Sequence, residues 1–370
     1  MPEKKPDRYY LEIPRKAHRI TFYTDKDSIS FDSHYGGVYE FIILLNGKDS
    51  CFTQVIAGFR HNISVHRSHP VALNAPDTIP FTLGSNNKIH IKGMVNNSDT
   101  LNFQFDLGSS ETVVTSTALK KIKFSFKPDG QPESNNRLQI SNLIWNSIPF
   151  GVYDHNMKPG EDGLLGNGLF QDKVLEINYD KKVMVIHDSL PTLNPSYTKQ
   201  EMLLSGGVLP LIEGTLLLKD KTTCKVWFVF DTGDSGNGFV TDEIAVPNKL
   251  YDQMNGLIWA GKRDLVVFPG LKIGTHTFTN VSGILERSGA NTNDLSVLGN
   301  ALLKRFNVMV DNRNGYVYLQ PNSLLNEPFD HPEILIKRII IIVAILIILL
   351  ITFFVYRKVR KRKIRRKKKK

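Results

Sequence analysis

From Arg8 to about His69 the chain runs as short apolar stretches, "ISF", "VYEFIILLNG" and "CFTQVIAGF", broken by Gly, Asn and Asp. Apolar runs bounded by turn formers predict strands with one buried face. The same texture continues to residue 321 with almost no helical periodicity, so the chain reads as an all-β protein up to that point. Its 41% apolar content supplies buried cores and excludes a disordered chain, and 370 residues leave room for about two domains.

The pattern repeats. Leu138, Ile140, Trp145, Ile148, Leu164, Leu165 and Gly166 have counterparts 133 residues later at Leu271, Ile273, Phe278, Val281, Val297, Leu298 and Gly299. The register continues without a gap through Asn167/Asn300, Leu175/Val308, Ile177/Val310, Val183/Tyr316 and Ile186/Leu319. Upstream, "LNFQFDLGSS" (Leu101 to Ser110) matches "VWFVFDTGDS" (Val226 to Ser235) at an offset of 125, so the second copy carries eight extra residues in a loop. Two β units follow, 76–190 and 207–321, joined by a linker 191–206 that contains "PTLNPSYTKQ" and preceded by a β-rich region 1–75. Trp145 and Phe278, at equivalent places in apolar runs, are expected in the core, and Asp180 and Asp311 in the turns that close the last hairpins.

The alternation ends abruptly near residue 338. Ile339 to Tyr356 is 18 consecutive uncharged residues, "IIIIVAILIILLITFFVY", which predicts one membrane-spanning helix after a juxtamembrane linker 322–338. This changes the meaning of the net charge of +11. The tail 357–370 holds 12 Lys or Arg and no acid, leaving 35 basic against 36 acidic residues elsewhere. The charge therefore points to anionic lipid head groups and not to nucleic acid. Positive-inside bias places the tail in the cytoplasm and residues 1 to 330 across the membrane from it. "MPEKKPDRYYLEIPRK" lacks an apolar leader core, which leaves two routes open. Either a leader precedes this sequence, or the chain inserts by its tail with the body in the cytoplasm.

Some features carry little chemistry. Cys51 and Cys224 cannot make a framework of bridges. His61, His66 and His69 have no common zinc spacing and are read as surface residues; no metal or organic cofactor is expected. The sequons at Asn62, Asn96 and Asn280 matter only in a secretory eukaryotic setting.

The repeat does carry chemistry, because it duplicates an aspartate: Asp106 in "FDLGSS" has Asp231 in "FDTGDS" as its counterpart. Two units packed around a pseudo-twofold bring such loops together. Two close carboxylates cannot both ionise cheaply, so they share a proton. The ionised member then takes a proton from water while the protonated one donates to a substrate carbonyl. Gly108 and Gly233 suit turns in which backbone N–H groups approach a carboxylate.

These two loops, each followed by an apolar-apolar-Gly element ("LLGN", "VLGN") with its glycine 60 or 68 residues after the aspartate, resemble retropepsin-like aspartic proteases. In particular the chain is similar to bacterial forms with two such domains fused in one polypeptide. Over residues 76 to 321 the resemblance implies tandem acid-protease barrels in an intramolecular pseudo-dimer, and an aspartic endopeptidase acting on polypeptide substrates. It implies Asp106 and Asp231 as the catalytic pair, loop support from Gly108, Ser109, Thr232 and Gly233, and flaps near 125–137 and 253–270. The chain departs from the family pattern twice. Leu107 stands where a hydroxyl ties the two loops together, so half of that bonding is expected to be lost, and Asp234 stands where a small or hydroxyl residue is usual. A third carboxylate is expected to raise the local pKa values or to stay protonated. A second reading therefore stays open, a noncatalytic peptide-binding or scaffolding relative in which Asp and Gly serve only as turn formers.

Overall fold

In the computed structural model the described residues are 7–11, 18–33, 37–45, 49–57, 63–68, 77–123, 136–154, 157–171, 173–205, 208–258, 261–289 and 295–367. The N-terminal region supplies β1 (Asp7–Leu11), β2 (His18–Tyr23), β3 (Ser28–Ser33), β4 (Gly37–Leu45), β5 (Asp49–Ala57) and β6 (Ser64–Arg67). β1 and β4 flank β5, and the β2–β3 ribbon packs on that sheet through the edge-to-face rings Phe22 and Phe41, 5.2 Å apart. β6 leaves this group, pairing antiparallel with Leu143–Asn146 as an edge strand of the first half.

The first half continues with β7 (Asp77–Pro80), β8 (Thr82–Leu83), β9 (Ile89–Val95), β10 (Thr100–Asp106), β11 (Val113–Val114), β12 (Asn136–Ile140), β13 (Leu143–Ile148), β14 (Gly151–Val152), β15 (Gly163–Gly166), β16 (Val174–Asn178) and β17 (Val183–His187). The second comprises β18 (Thr198–Ser205), β19 (Leu209–Leu217), β20 (Thr223–Asp231), β21 (Gly238–Val240), α1 (Asp242–Ala245), α2 (Leu250–Gln253), β22 (Asn255–Ile258), β23 (Arg263–Ile273), β24 (His276–Glu286), β25 (Val297–Gly299), α3 (Asn300–Leu303), β26 (Phe306–Asp311) and β27 (Tyr316–Pro321).

The same pairings recur in both halves. β10 lies between antiparallel β9 and parallel β15, as β20 lies between β19 and β25. β7 pairs with β17 as β18 pairs with β27. The stretch 191–206 is therefore not a free linker: β18 lies within it and is a strand of the second half, because its edge partner β27 needs a neighbour just as β17 does.

The halves are not closed units either. β16 pairs antiparallel with β26, with Leu175 opposite Val310, Ile177 opposite Val308 and Glu176 opposite Met309. Glu176 and Met309 are 133 positions apart, so the twofold passes through that pair and the contact is self-complementary. One sheet thus runs through β7, β17, β16, β26, β27 and β18 and fixes how the halves face each other.

Alternation explains the core. Leu101, Phe103 and Phe105 of β10, and Val226, Phe228 and Phe230 of β20, are buried at every second position. Trp145 and Phe278 are buried as expected; Phe170 packs edge-on against both Phe105 and Trp145, at 5.6 and 5.8 Å. Asp180 sits in the β16–β17 turn, and Asp311 ends β26 with Oδ1 accepting from Arg313 N and Asn314 N at 3.1 and 3.0 Å.

Residues 322–331, the first part of the stretch 322–338 read as a juxtamembrane linker, are tied to the body. The buried Arg305 guanidinium donates to the carbonyls of Leu324 and Leu325, each at 3.2 Å, and of Glu327, and lies 3.9 Å from the centre of the Phe329 ring. One helix, α4 (Pro332–Lys367), follows; its stretch Arg338–Lys358 is long and apolar enough to cross a bilayer and is not buried among the described residues.

Candidate active site

β10 and β20 each end on an aspartate that turns at once into a loop, and the cross-sheet partners of Asp106 and Asp231 are Gly166 and Gly299. The "LLGN" and "VLGN" elements are thus the strands beside the aspartates. The asparagine after each glycine reaches into the opposite half. Asn167 Nδ2 donates to Val208 O at 2.6 Å, and Asn300 receives the Tyr179 hydroxyl while donating to Asn87 O.

The two aspartates come together across the interface. Asp106 Oδ1 accepts from Gly108 N at 2.7 Å; Asp231 Oδ1 accepts from Gly233 N at 2.7 Å and Asp234 N at 2.9 Å. Each glycine also faces the carboxyl of the other loop. A Cβ on Gly108 would lie 2.4 Å from Asp231 Cγ, and one on Gly233 would lie 2.2 Å from Asp106 Oδ2. Only glycine permits this approach.

The loops are tied by Thr232, whose hydroxyl donates to Phe105 O at 3.1 Å and accepts from Leu107 N at 3.0 Å. Leu107 offers no reciprocal hydroxyl, and its side chain is fully buried in the apolar core. Ser109 and Asp234, at equivalent positions, close equivalent turns: Ser109 Oγ accepts from Glu111 N at 3.2 Å and Asp234 Oδ1 from Gly236 N at 2.7 Å.

The electrostatics follow from burial. Desolvation pushes both Asp106 and Asp231 above the ordinary aspartate range, Asp231 furthest because the charge of Asp106 stands beside it. The pair shares one proton; at Asp106 the rise caused by burial is opposed first by the hydrogen bond with Asp231, then by the Gly108 N–H, and only after these by the charge of Lys88. Burial, then the charge of Asp231, raises Asp234 as well. Asp234 is a turn-closing group packed against Gly299, and its backbone N–H, through the bond to Asp231, opposes the rise at the pair.

A cavity of about 460 Å³ lies over the pair, lined also by Lys88, Gln104, Tyr153 and Leu164. Lys88 Nζ donates to Gln104 Oε1 at 2.9 Å, and Gln104 Nε2 reaches Gly233 O at 3.5 Å. Sequence reading missed both residues. Gln104 had a signal, being polar where the second copy has the apolar Val229; nothing local marks Lys88. The second expected flap region holds the antiparallel pair β22–β23, whereas most of the first, 125–135, lies outside the described residues, as do His61, Asn62 and His69. His66 lies in β6, within 3.3 Å of Asn146 Nδ2.

No family model matches the chain, and no curated protein matches it. Among solved structures, the aspartic proteinase from Irpex lacteus is similar over 69% of this chain and 100% of that chain, with a TM-score of 0.49 and 14% sequence identity.

Proposed function

We propose that the chain is a membrane-anchored aspartic-type endopeptidase built from two fused retropepsin-like domains, with Asp106 and Asp231 as its catalytic residues. The observation that carries this reading is the half-buried carboxyl pair, each member backed by the other loop's glycine and facing one cavity. Asp106, ionised, takes a proton from a water while that water attacks the peptide carbonyl, and Asp231 gives its proton to the carbonyl oxygen. Collapse of the resulting diol returns a proton to Asp231 and passes one from Asp106 to the leaving nitrogen. No metal or organic cofactor takes part. Gly108, Ser109, Thr232 and Gly233 hold the loops. The helix Arg338–Lys358 anchors the body outside the cytoplasm, with the basic tail on the cytoplasmic side near anionic lipid.

Leu107 favours a second reading, a peptide-binding relative whose pair is idle, because one of the two loop-tying hydroxyls is absent. Peptide-library cleavage by the full-length chain in detergent, from about pH 3 to 7, separates the two. Cleavage blocked by a transition-state analogue of aspartic proteases is expected; peptide binding with no cleavage at any pH supports the idle module.

A further inference from the structure

Lys88 is a cation placed in the cavity above the carboxyl pair, and nothing in the reaction described requires it. Its ammonium has three donors, and among the described residues it has one hydrogen-bond acceptor, Gln104 Oε1 at 2.9 Å. Lys158 lines the same cavity from the loop that precedes β15.

The carboxyls of Glu161 and Asp234 lie near enough to feel the charge of Lys88 but take their hydrogen bonds from other groups. Glu161 Oε1 lies 3.1 Å from His90 Nε2, and its Oε2 accepts from Lys158 N at 2.8 Å. Asp234 closes its own turn onto Gly236 N, and Asp106 with Asp231 hold one negative charge between them when they share a proton. Two ammonium groups thus face the cavity over the pair, and two of the Lys88 donors have no acceptor among the described residues.

We propose that Lys88 determines substrate choice, selecting peptides with an Asp or Glu side chain close to the scissile bond. The carboxylate of that side chain accepts a charge-assisted bond from the Lys88 ammonium, with Lys158 adding attraction from the cavity wall. This rests on the proteolytic reading of the same cavity. It predicts a residue dispensable for turnover itself and decisive for which peptide is turned over.

The test uses full-length wild type, Lys88→Met and Lys88→Glu in detergent on a peptide library, each at its own pH optimum, with cleavage products identified by mass spectrometry. Wild type is expected to enrich Asp and Glu over Asn and Gln by about tenfold at one subsite. Lys88→Met loses the enrichment while still cleaving neutral peptides, and Lys88→Glu shifts it toward Lys and Arg. Comparing peptides within one variant cancels any effect of Lys88 on the ionisation of Asp106. Cleavage without acidic preference in wild type, or an unchanged profile in the variants, overturns the proposal and leaves the protease reading intact. Lys88→Met that cleaves neither series overturns it too, and a wild type that cleaves nothing overturns the protease reading beneath it.

Discussion

The loops Phe105–Ser110 and Phe230–Ser235 make the same turn and differ where it matters for rigidity. In the second, Thr232 both donates and accepts across the interface; in the first, Leu107 contributes a buried apolar side chain and only its backbone N–H to that network. A hydroxyl can serve two partners at once, so one threonine ties both loops where an exact twofold would use two. The other difference is smaller in consequence. Ser109 and Asp234 close the same turn with different oxygens, so the extra carboxylate acts as a turn closer.

The strongest way to break this comparison is at the glycines. Gly108→Ala and Gly233→Ala each drive a Cβ into the opposite carboxyl, and a displacement near 1 Å at reacting groups costs about 10²-fold in rate. Both variants should lose kcat by a similar factor in peptide assays; a loss confined to one would mean that the carboxyls do not depend equally on the two turns. Next come the tying residues. Thr232→Val leaves Leu107 N–H without its acceptor and should cost about 1–3 kcal/mol in denaturant unfolding. Leu107→Thr exchanges apolar burial for a hydroxyl and should change stability by about 1 kcal/mol or less.

The smallest effect depends on pH. Asp231 keeps its proton in the folded chain at pH values where the unfolded chain has lost it, because its folded pKa is raised above the ordinary 3.8. Its contribution to stability therefore falls as pH rises from that value toward the folded one. Asp231→Asn removes this loss, so its thermal midpoint should exceed the wild type's at about pH 7 and approach it at about pH 4. A gain that is equal at both pH values would mean that Asp231 is not protonated in the folded protein.

Much of the arrangement was legible in the sequence because the repeat is a physical object. The 133-residue offset aligns Leu175 with Val308 and Ile177 with Val310, and in β16 and β26 these residues exchange partners about the Glu176/Met309 pair, Leu175 lying opposite Val310 and Ile177 opposite Val308. The duplicated Asp-x-Gly marked the pair because glycine is the residue that close approach of a carboxyl demands. Three things were not legible. β18 hid in a segment rich in Pro, Ser and Thr because its place is set by a partner strand, β27, more than a hundred residues away. The docking of 322–331 centres on a buried arginine whose role appears only when its acceptors converge, with Ser323 donating to Asp180 and Glu327 pairing with Lys304 beside it. Lys88 reaches the site from a turn, and a lysine in a turn looks like any other solvated charge.

The most direct test of the central claim is the pH dependence of kcat/KM for a cleaved peptide, measured on the full-length wild type and on Asp106→Asn and Asp231→Asn. A carboxyl pair sharing one proton predicts a bell. The acidic limb follows protonation of Asp106, and the basic limb follows loss of the proton on Asp231, above the ordinary aspartate range. Both asparagine variants should fall by roughly 10²–10⁴-fold at the optimum. A wild-type rate that rises or falls in one direction only, or a variant that keeps the wild-type rate, contradicts the account.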